Sequence, residues 1–286
     1  MHTPERNASA AASAALGGNG SPQGPDNTVG PPGAGKQAHP LIGQAIGNGM
    51  VLIVLLAWWL ASRSMGDVLV PDPIVIGLRM LQVLFDPSLA LHWVWSLLRV
   101  LGSVLLAVLL GGFLALLPRW FPVFEGIVHQ LLKPFLISFP TVAWAILATI
   151  WFGVSTSTVL FIQVVILVPY CLINISEGVR VLDPELAEMG RSFTRRPVRL
   201  MMRVVLPQLV PYFIAALRIA YGVAWKIALI AEMFGAQSGL GYLMVRAQSY
   251  ADGNTVLATC LVIVILFWAG DRLLIAPLSR RFGGHG

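Results

Sequence analysis

The sequence predicts an all-α fold: a polytopic membrane helix bundle of about six transmembrane helices, with a long polar loop on one side of the membrane. Three observations support this prediction. Only 11% of the residues are charged, whereas a soluble domain carries about 25%. Several apolar runs approach the ~20 residues that a helix needs to cross the hydrocarbon of a bilayer. The basic residues also gather in alternate connections between these runs.

The first 40 residues (1–40) are rich in Ala, Gly, Ser and Pro, and we expect a disordered tail because they offer little apolar surface to bury. No apolar stretch of a signal peptide follows its few charges. Gly30, Gly35 and Lys36 match the spacing G-x-x-x-x-G-K of a phosphate-binding loop. Such a loop needs a buried strand before it, a helix after it and a Ser or Thr after the lysine, where this chain has a glutamine. We therefore attribute the match to chance.

After the tail, the sequence predicts a first transmembrane helix within residues 41–69, one membrane domain over 70–280 and a short C-terminal tail, 281–286. The six candidate spans are 45–62, 97–117, 134–153, 157–176, 208–231 and 255–270. Neighbouring helices can satisfy carbonyls that a proline frees, so kinks rather than breaks are expected at the prolines in or beside these spans. These prolines are Pro134, Pro140 and Pro169.

The segment between the first two spans, "VPDPIVIGLRMLQVLFDPSLALHWVWS" (70–96), predicts a turn followed by an amphipathic stretch lying along the membrane interface. Trp93 and Trp95 suit a membrane–water boundary. Within the second span, Gly111 and Ala115 have a small-x-x-x-small spacing that lets helices approach closely, although this spacing is also common by chance.

The distribution of Lys and Arg predicts that both chain termini are cytoplasmic. With the N-terminus inside, thirteen basic residues fall on the cytoplasmic side and four fall outside, which follows the positive-inside rule. The four outside residues are Arg63, Arg79, Arg99 and Arg246. Both cysteines, Cys171 and Cys260, lie in apolar runs and are expected to be packing residues rather than a disulfide pair.

The connection between the fourth and fifth spans is longer and more polar than a simple bundle needs. Asp183 is a good N-cap, and the helix that it starts places Leu186, Met189 and Phe193 on one face. Pro197 can begin a second helix. The pattern thus predicts a helical projection with an apolar face, which serves either to dock a partner or to lie on lipid head groups.

This loop resembles the coupling loop of the permease subunits of bacterial binding-protein-dependent ABC importers. The loop of that family has an E-A-A pattern, and here "EMG" (Glu188, Met189 and Gly190) stands in its place. The family loop also has an I-x-L-P pattern, and here Val204, Leu206 and Pro207 stand in its place. Thr194 stands where the family usually has a glycine. The stretches "SLLRVLGSVLLAVLLGG" (96–112) and "WFGVSTSTVLFIQVVILVPYCLINISEGVRVLDPELAEMGR" (151–191) are also similar to the family. "LRIAYGVAWKIALIAEMFGAQSGLGYLM" (217–244) is similar to its nitrate, sulfonate and taurine branch.

The resemblance covers roughly residues 70–280 and implies a multi-pass subunit of the bacterial inner (plasma) membrane. It implies three partners besides the lipid bilayer: a cytoplasmic ABC ATPase dimer, an extracytoplasmic solute-binding protein and a second permease copy, expected to form a homodimer. It also implies that the chain is not an enzyme, because a partner chain hydrolyses the ATP. The residues expected to couple to the ATPase are Asp183, Leu186, Ala187, Glu188, Met189, Gly190, Phe193, Leu206 and Pro207.

Ionisable residues in a span usually face the bundle or a pathway, because exposing them to lipid is costly. Arg218 and Lys226 are eight residues apart in the fifth span and point to roughly the same side, whereas Glu232 points elsewhere. Lys226 either lines a passage for an anionic solute or packs against carbonyls and snorkels to the interface. In the glycine-rich stretch that follows, Tyr242 either plugs an outer gate or lies in a short surface helix. Arg218, Lys226, Glu232 and Tyr242 are therefore the candidate residues of a substrate path.

Other classes of protein fit less well. A secondary carrier driven by an ion gradient is the alternative, but such carriers commonly show inverted hydropathy halves, which this sequence lacks. A membrane enzyme would need a cluster of reactive side chains, yet His92 and His129 are isolated. A simple anchor would not need the polar loop. We expect no catalytic, cofactor-binding or metal-binding residues and no nucleic-acid partner, and the expected cargo is a small organic anion.

Overall fold

The computed structural model describes residues 40–65, 71–182 and 201–282, and within these ranges all regular secondary structure is helical. The chain divides into two units, one up to Leu52 and one from Ile53 onward. Helix α1 (Pro40–Met65) contains this boundary and also the first predicted span, 45–62.

Helices α2 (Pro73–Phe85) and α3 (Pro87–Trp120) are separated by a single residue, Asp86. Its Oδ1 accepts hydrogen bonds from the backbone N–H of Ser88 at 2.9 Å and from the Ser88 hydroxyl at 2.7 Å, which makes Asp86 the N-cap of α3. These hydrogen bonds, first that of the hydroxyl, hold the pKa of Asp86 below its usual value. The predicted stretch over 70–96 is therefore not one continuous segment, because the Asp–Pro pair ends one helix and starts the next.

The third predicted span, 134–153, is broken. Helix α4 (Phe124–Ser138) and helix α5 (Thr141–Phe152) meet at an angle of 90°. The intervening Phe139 and Pro140 have extended backbones, with ψ of 127° and 134°. The predicted kink at Pro140 is thus wrong, because a proline pushes the residue before it out of the helical region. Neighbouring helices did not restore a continuous run of helical backbone hydrogen bonds at this proline.

The remaining helices follow the predicted spans more closely. They are α6 (Thr156–Arg180), α7 (Leu206–Gly235), α8 (Leu240–Ser249), α9 (Gly253–Gly270) and α10 (Ala276–Phe282). Helix α6 runs unbroken past Pro169, and Ser155 and Asp252 cap α6 and α9 through the backbone N–H groups of Thr158 and Thr255.

Within the described residues, three π-helical turns interrupt the α-helical pattern. They lie over Ile127–Leu132 inside α4, over Met201–Val205 before α7 and over Asp271–Ile275 after α9.

Within the described residues, four helical segments are long and apolar enough to cross a membrane: α3, α6, α7 and the run from α9 into α10 (Gly253–Arg280). The broken pair α4–α5 would make a fifth span. The described apolar part of α1, Gly49–Ser64, is shorter than a span, so the first predicted span, 45–62, is not established. The predicted all-α membrane bundle is confirmed, while the count of six spans is not: the described residues supply four spans, or five with the broken pair.

The core forms where α3, α6 and α7 pack together, and small residues let these helices approach closely. Gly111 of α3 lies directly against α6: a Cβ added there would lie 2.6 Å from Cys171 Cβ and 3.0 Å from the backbone nitrogen of Leu172. Such distances are shorter than van der Waals contact, so only glycine fits without a shift of the helices. Cys171 and Cys260 are free thiols, and Cys171 is fully buried by this contact.

Gly111→Ala should therefore lower the free energy of unfolding, although alanine is the better helix former. We expect a loss of about 1–3 kcal/mol, because the extra methyl group meets backbone as well as side chain. Gly77→Ala in α2 is the matched control, since a Cβ there meets nothing within 4 Å. The control should be neutral or gain up to about 1 kcal/mol. Equal melting temperatures of the two purified variants in detergent would refute this account.

Candidate functional site

A buried ion pair joins the first turns of α3 to the last turn of α7. Arg99 Nη1 lies 3.1 Å from Glu232 Oε1, and the two side chains are only 4% and 1% exposed. The Ser96 hydroxyl donates to the same carboxylate, 2.7 Å from Oε2, and the backbone N–H of Gly241 donates to Oε2 at 3.0 Å. Glu232 is thus held from α3 and from α8.

The guanidinium of Arg99 also holds the turn between α7 and α8. Its Nη1 donates to the carbonyl of Ser238 at 2.6 Å, and its Nη2 donates to the Ser238 hydroxyl at 2.9 Å. Nη2 reaches the start of α6 as well, where Thr156 Oγ1 accepts at 3.0 Å. One arginine therefore ties together α3, α6 and the α7–α8 turn. We call Ser96, Arg99, Thr156, Glu232 and Ser238 the Arg99 network.

Backbone groups complete the network on the side of α8. The N–H of Leu240 donates to Ser96 Oγ at 2.8 Å, and the N–H of Gly239 donates to His92 Nδ1 at 3.1 Å. Gly239 has a φ of +120°, which L side chains rarely adopt, and a Cβ there would collide with the Glu232 carboxylate. The turn is therefore a glycine site because the carboxylate occupies the space that a side chain would need.

The four candidate residues of a substrate path lie in different surroundings. Glu232 belongs to the Arg99 network. Arg218 is exposed, with Nε 3.9 Å from Asp271 Oδ1. Tyr242 is half-buried in α8 and stacks on His92, with ring centroids 5.9 Å apart. Tyr242 thus lies beside the network, in a helix that packs on the bundle, while the glycines before it form a short turn.

Lys226 is exposed on α7. Several exposed residues of this helix recur at helical spacing along its length, and other faces of the helix are buried in the core. We call five of these exposed positions the α7 stripe: Pro211, Ala215, Ile219, Lys226 and Met233. Pro207, Arg218 and Phe234 of α7 are exposed as well. Lys226 and Arg218 are thus the exposed charges of the helix, and Lys226 is the one that belongs to the stripe.

Most residues predicted to couple to the ATPase lie outside the described residues: Asp183, Leu186, Ala187, Glu188, Met189, Gly190 and Phe193. Leu206 and Pro207 are the first two residues of α7. The π-helical turn before them buries Met201 and Val205 in a small apolar cluster with Leu209, against which Leu116 and Val179 pack. The entry to α7 is thus anchored on the ends of α3 and α6.

Sequence reasoning missed Arg99, Ser96, Thr156 and Ser238 as site residues. The available signal was Arg99 itself, an ionisable residue within the apolar "SLLRVLGS", where a buried partner is the rule. Its partner could not be identified from the sequence, because Glu232 follows 133 residues later. No group of three or more His, Cys, Asp or Glu side chains that could hold a metal ion occurs in the part of the chain that the structure describes.

Comparison with known proteins supplies the wider context. Residues 107–275 match the family model described as "Binding-protein-dependent transport system inner membrane component". This match runs from the middle of α3 through α9 and includes the core helices described above.

Three curated relatives match most of the chain. A protein of Brucella melitensis, provisionally named an ABC transporter permease, is 29% identical over 82% of this chain and 94% of its own length. The taurine transport system permease protein of Escherichia coli is 26% identical over 83% of this chain and 89% of its own length. A permease of Bacillus subtilis, provisionally named for aliphatic sulfonates, is 27% identical over 74% of this chain and 78% of its own length.

Among solved structures, the crystal structure of an amino acid ABC transporter with histidines resembles this fold. The likeness covers 71% of this chain and 97% of that chain, with a TM-score of 0.57 and 18% sequence identity. At this identity the likeness concerns the arrangement of the helices.

Removing one partner of the Arg99 network should be strongly destabilising. Glu232→Ala leaves a buried guanidinium without its counter-ion, so we expect a loss of about 3–5 kcal/mol in the free energy of unfolding. The matched control is Glu177→Ala, which removes the ion pair of Glu177 with Arg180, whose side chains are 57% and 66% exposed. The control should cost at most about 1 kcal/mol. Similar losses in both variants, measured by denaturant titration in micelles, would contradict the assigned role of the network.

Proposed function

Because this chain belongs to the family of inner membrane components of binding-protein-dependent transport systems, we propose that it forms the passage for a small anionic organic solute in an ABC importer. The family supplies the non-catalytic membrane subunit of such importers, and ATP hydrolysis belongs to a partner ATPase. The single observation that carries the proposal is the family match over residues 107–275.

The nature of the solute is proposed from relatives and from one charge. The E. coli relative is named for taurine and the B. subtilis relative for aliphatic sulfonates, and both solutes carry a sulfonate group. Lys226 supplies a positive charge on the α7 stripe. A charge in a transmembrane helix is costly in lipid, which favours an orientation of the stripe towards a passage or a second permease copy. We therefore propose that Lys226 attracts the sulfonate or carboxylate of the solute.

The coupling of transport to ATP hydrolysis is proposed to enter through residues 183–207. Leu206 and Pro207 start α7, and the Arg99 network holds the other end of the same helix. Its 30 residues span about 45 Å at about 1.5 Å per residue. A displacement of the loop by the ATPase would thus be carried along α7 as a rigid-body movement. The proposed orientation places both termini and this loop in the cytoplasm, consistent with the distribution of basic residues.

The central experiment is co-purification with an affinity tag on this chain. The proposal expects an ABC ATPase subunit in the purified complex and ATP hydrolysis that depends on it. Uptake by the chain alone, driven by an ion gradient and without an ATPase, would instead support a secondary carrier.

Replacing the apolar face of the proposed coupling helix by acids should release the ATPase. Leu186→Asp combined with Met189→Asp puts two charges where the docking contact is expected, so the ATPase retained on the tag should fall about tenfold or more. Glu177→Ala is the matched control, because it removes an exposed charge shortly before the loop. Undiminished ATPase recovery with the double variant, at equal yield of the membrane subunit, would exclude this segment as the docking site.

Lys226→Met should weaken transport of anionic solutes by the assembled complex. Loss of a charge-assisted contact predicts about a tenfold or greater rise in the KM for an aliphatic sulfonate, the first class of compound to test, while the complex stays intact. Ile219→Met changes the same stripe without changing its charge and should leave uptake unaltered. If the Lys226 variant takes up an aliphatic sulfonate, or whichever anion the complex transports, with an unchanged KM, the proposed role of Lys226 in the passage is wrong.

A further inference from the structure

An open polar cleft of about 660 Å³ lies where α3 and α6 end, next to the first turns of α4. This volume falls in the range of about 300–1,000 Å³ that is typical of small-molecule sites. Its wall carries hydrogen-bond donors from three helices. They are Arg119 of α3, His129 and Gln130 of α4, and Ser176 and Arg180 of α6. The proposed transport function makes no use of this cleft.

The side chains of the cleft favour an anionic ligand. Arg119 and Arg180 supply two guanidinium groups, against one carboxylate in the wall, that of Glu125. Arg180 Nη1 is 3.2 Å from the exposed carboxylate of Glu177, whereas Arg119 forms no ion pair with any residue that the structure describes. Guanidinium groups bind phosphate oxygens through two parallel hydrogen bonds, and this geometry makes arginine the preferred residue for such anions.

Ser176 gives a second, independent indication of a ligand. Its side chain lines the cleft and is only 7% exposed, and its hydroxyl has no hydrogen-bond partner within the described ranges. Buried polar groups in native proteins are almost always hydrogen-bonded, so an unpartnered hydroxyl needs an explanation. An oxygen atom of a ligand in the cleft would supply the missing partner.

Exposed apolar and aromatic side chains occur in the same chain segment as the cleft residues: Trp120, Phe121, Phe124, Ile127 and Leu131. Aromatic side chains concentrate at the membrane–water interface, and a segment with one polar and one apolar side is typical of that interface. We therefore expect the donors of the cleft at the level of the phosphate groups of a bilayer.

We propose that this cleft binds the phosphate group of an anionic phospholipid. Basic pockets between transmembrane helices on the cytoplasmic side bind such head groups. A free phosphate ion shares the chemistry of the polar contacts but has no acyl chains to lie on the adjacent apolar side chains. The proposal rests on the orientation proposed above, which puts these ends of α3 and α6 in the cytoplasm, and it does not depend on the transported solute.

The two arginines also have a simpler role that the test must separate. Arg119 and Arg180 lie in the last turns of α3 and α6, where a positive charge offsets the negative end of the helix dipole. That role requires no lipid. It predicts a loss of stability on substitution that is the same with and without added phospholipid.

The test measures lipid retention and melting temperature of the full chain, purified in detergent. Native mass spectrometry compares phosphatidylglycerol, phosphatidylcholine and inorganic phosphate as probes. Phosphatidylglycerol should stay bound and raise the melting temperature, whereas the other two should do neither. The Arg119→Gln/Arg180→Gln variant should retain about tenfold less phosphatidylglycerol, because it loses two charge-assisted donors. Arg63→Gln/Arg246→Gln removes the same charge elsewhere and should retain the lipid fully.

Three results would overturn the proposal. Equal retention of phosphatidylglycerol by both double variants would exclude the cleft as the site. An equal response to inorganic phosphate would assign the cleft to a soluble anion. A lower melting temperature of the cleft variant with an unchanged response to lipid would show that the two arginines act only by offsetting the helix dipoles. Arg119→Lys/Arg180→Lys keeps both charges and should regain most of the lipid retention. This variant therefore shows whether the loss in the glutamine variant comes from the missing charges or from misfolding.

Discussion

The arrangement of the bundle depends on a buried pair of opposite charges. Arg99 and Glu232 have almost no exposed surface, so each charge requires the other and the hydrogen bonds around both. Because those partners come from α3, α6, α7 and α8, satisfying one carboxylate fixes the mutual positions of four helices. The glycine at the α7–α8 turn follows from the same requirement, since the carboxylate occupies the place of its side chain.

The two ends of the bundle differ in construction. The end with the Arg99 network is held by hydrogen bonds of 2.6–3.1 Å from side chains and backbone. Away from this network, α4 carries a π-helical turn and another directly precedes α7, and such turns occur frequently at functional sites. A third π-helical turn follows α9 beside the middle of α7, where Asp271 lies 3.9 Å from Arg218. The turn before α7 lies where the proposed coupling loop joins this helix. A bundle held tightly at one end and more loosely wound at the other suits a movement that enters through the loosely wound end.

The sequence was sufficient to predict the fold class and most of the spans, because a low content of charge and long apolar runs are what a bilayer requires of a helix that crosses it. It was insufficient at Pro140, where either a kink or a break satisfies the local pattern and the surrounding packing decides between them. It also identified Glu232 as noteworthy without revealing Arg99 as its partner, since pairing across 133 residues leaves no local periodicity. Lys226 was recognised as a charge within an apolar span, and its exposed position on α7 emerged only from the packed helices.

The Arg99 pair also has a consequence for biosynthesis. Arg99 leaves the ribosome 133 residues before Glu232, which corresponds to a delay of about 7–27 s at about 5–20 residues per second. During this interval α3 carries an uncompensated guanidinium into or beside the membrane. A nascent chain that stops short of Glu232 therefore carries a charge without its counter-ion, and this unpaired charge distinguishes it from the finished protein.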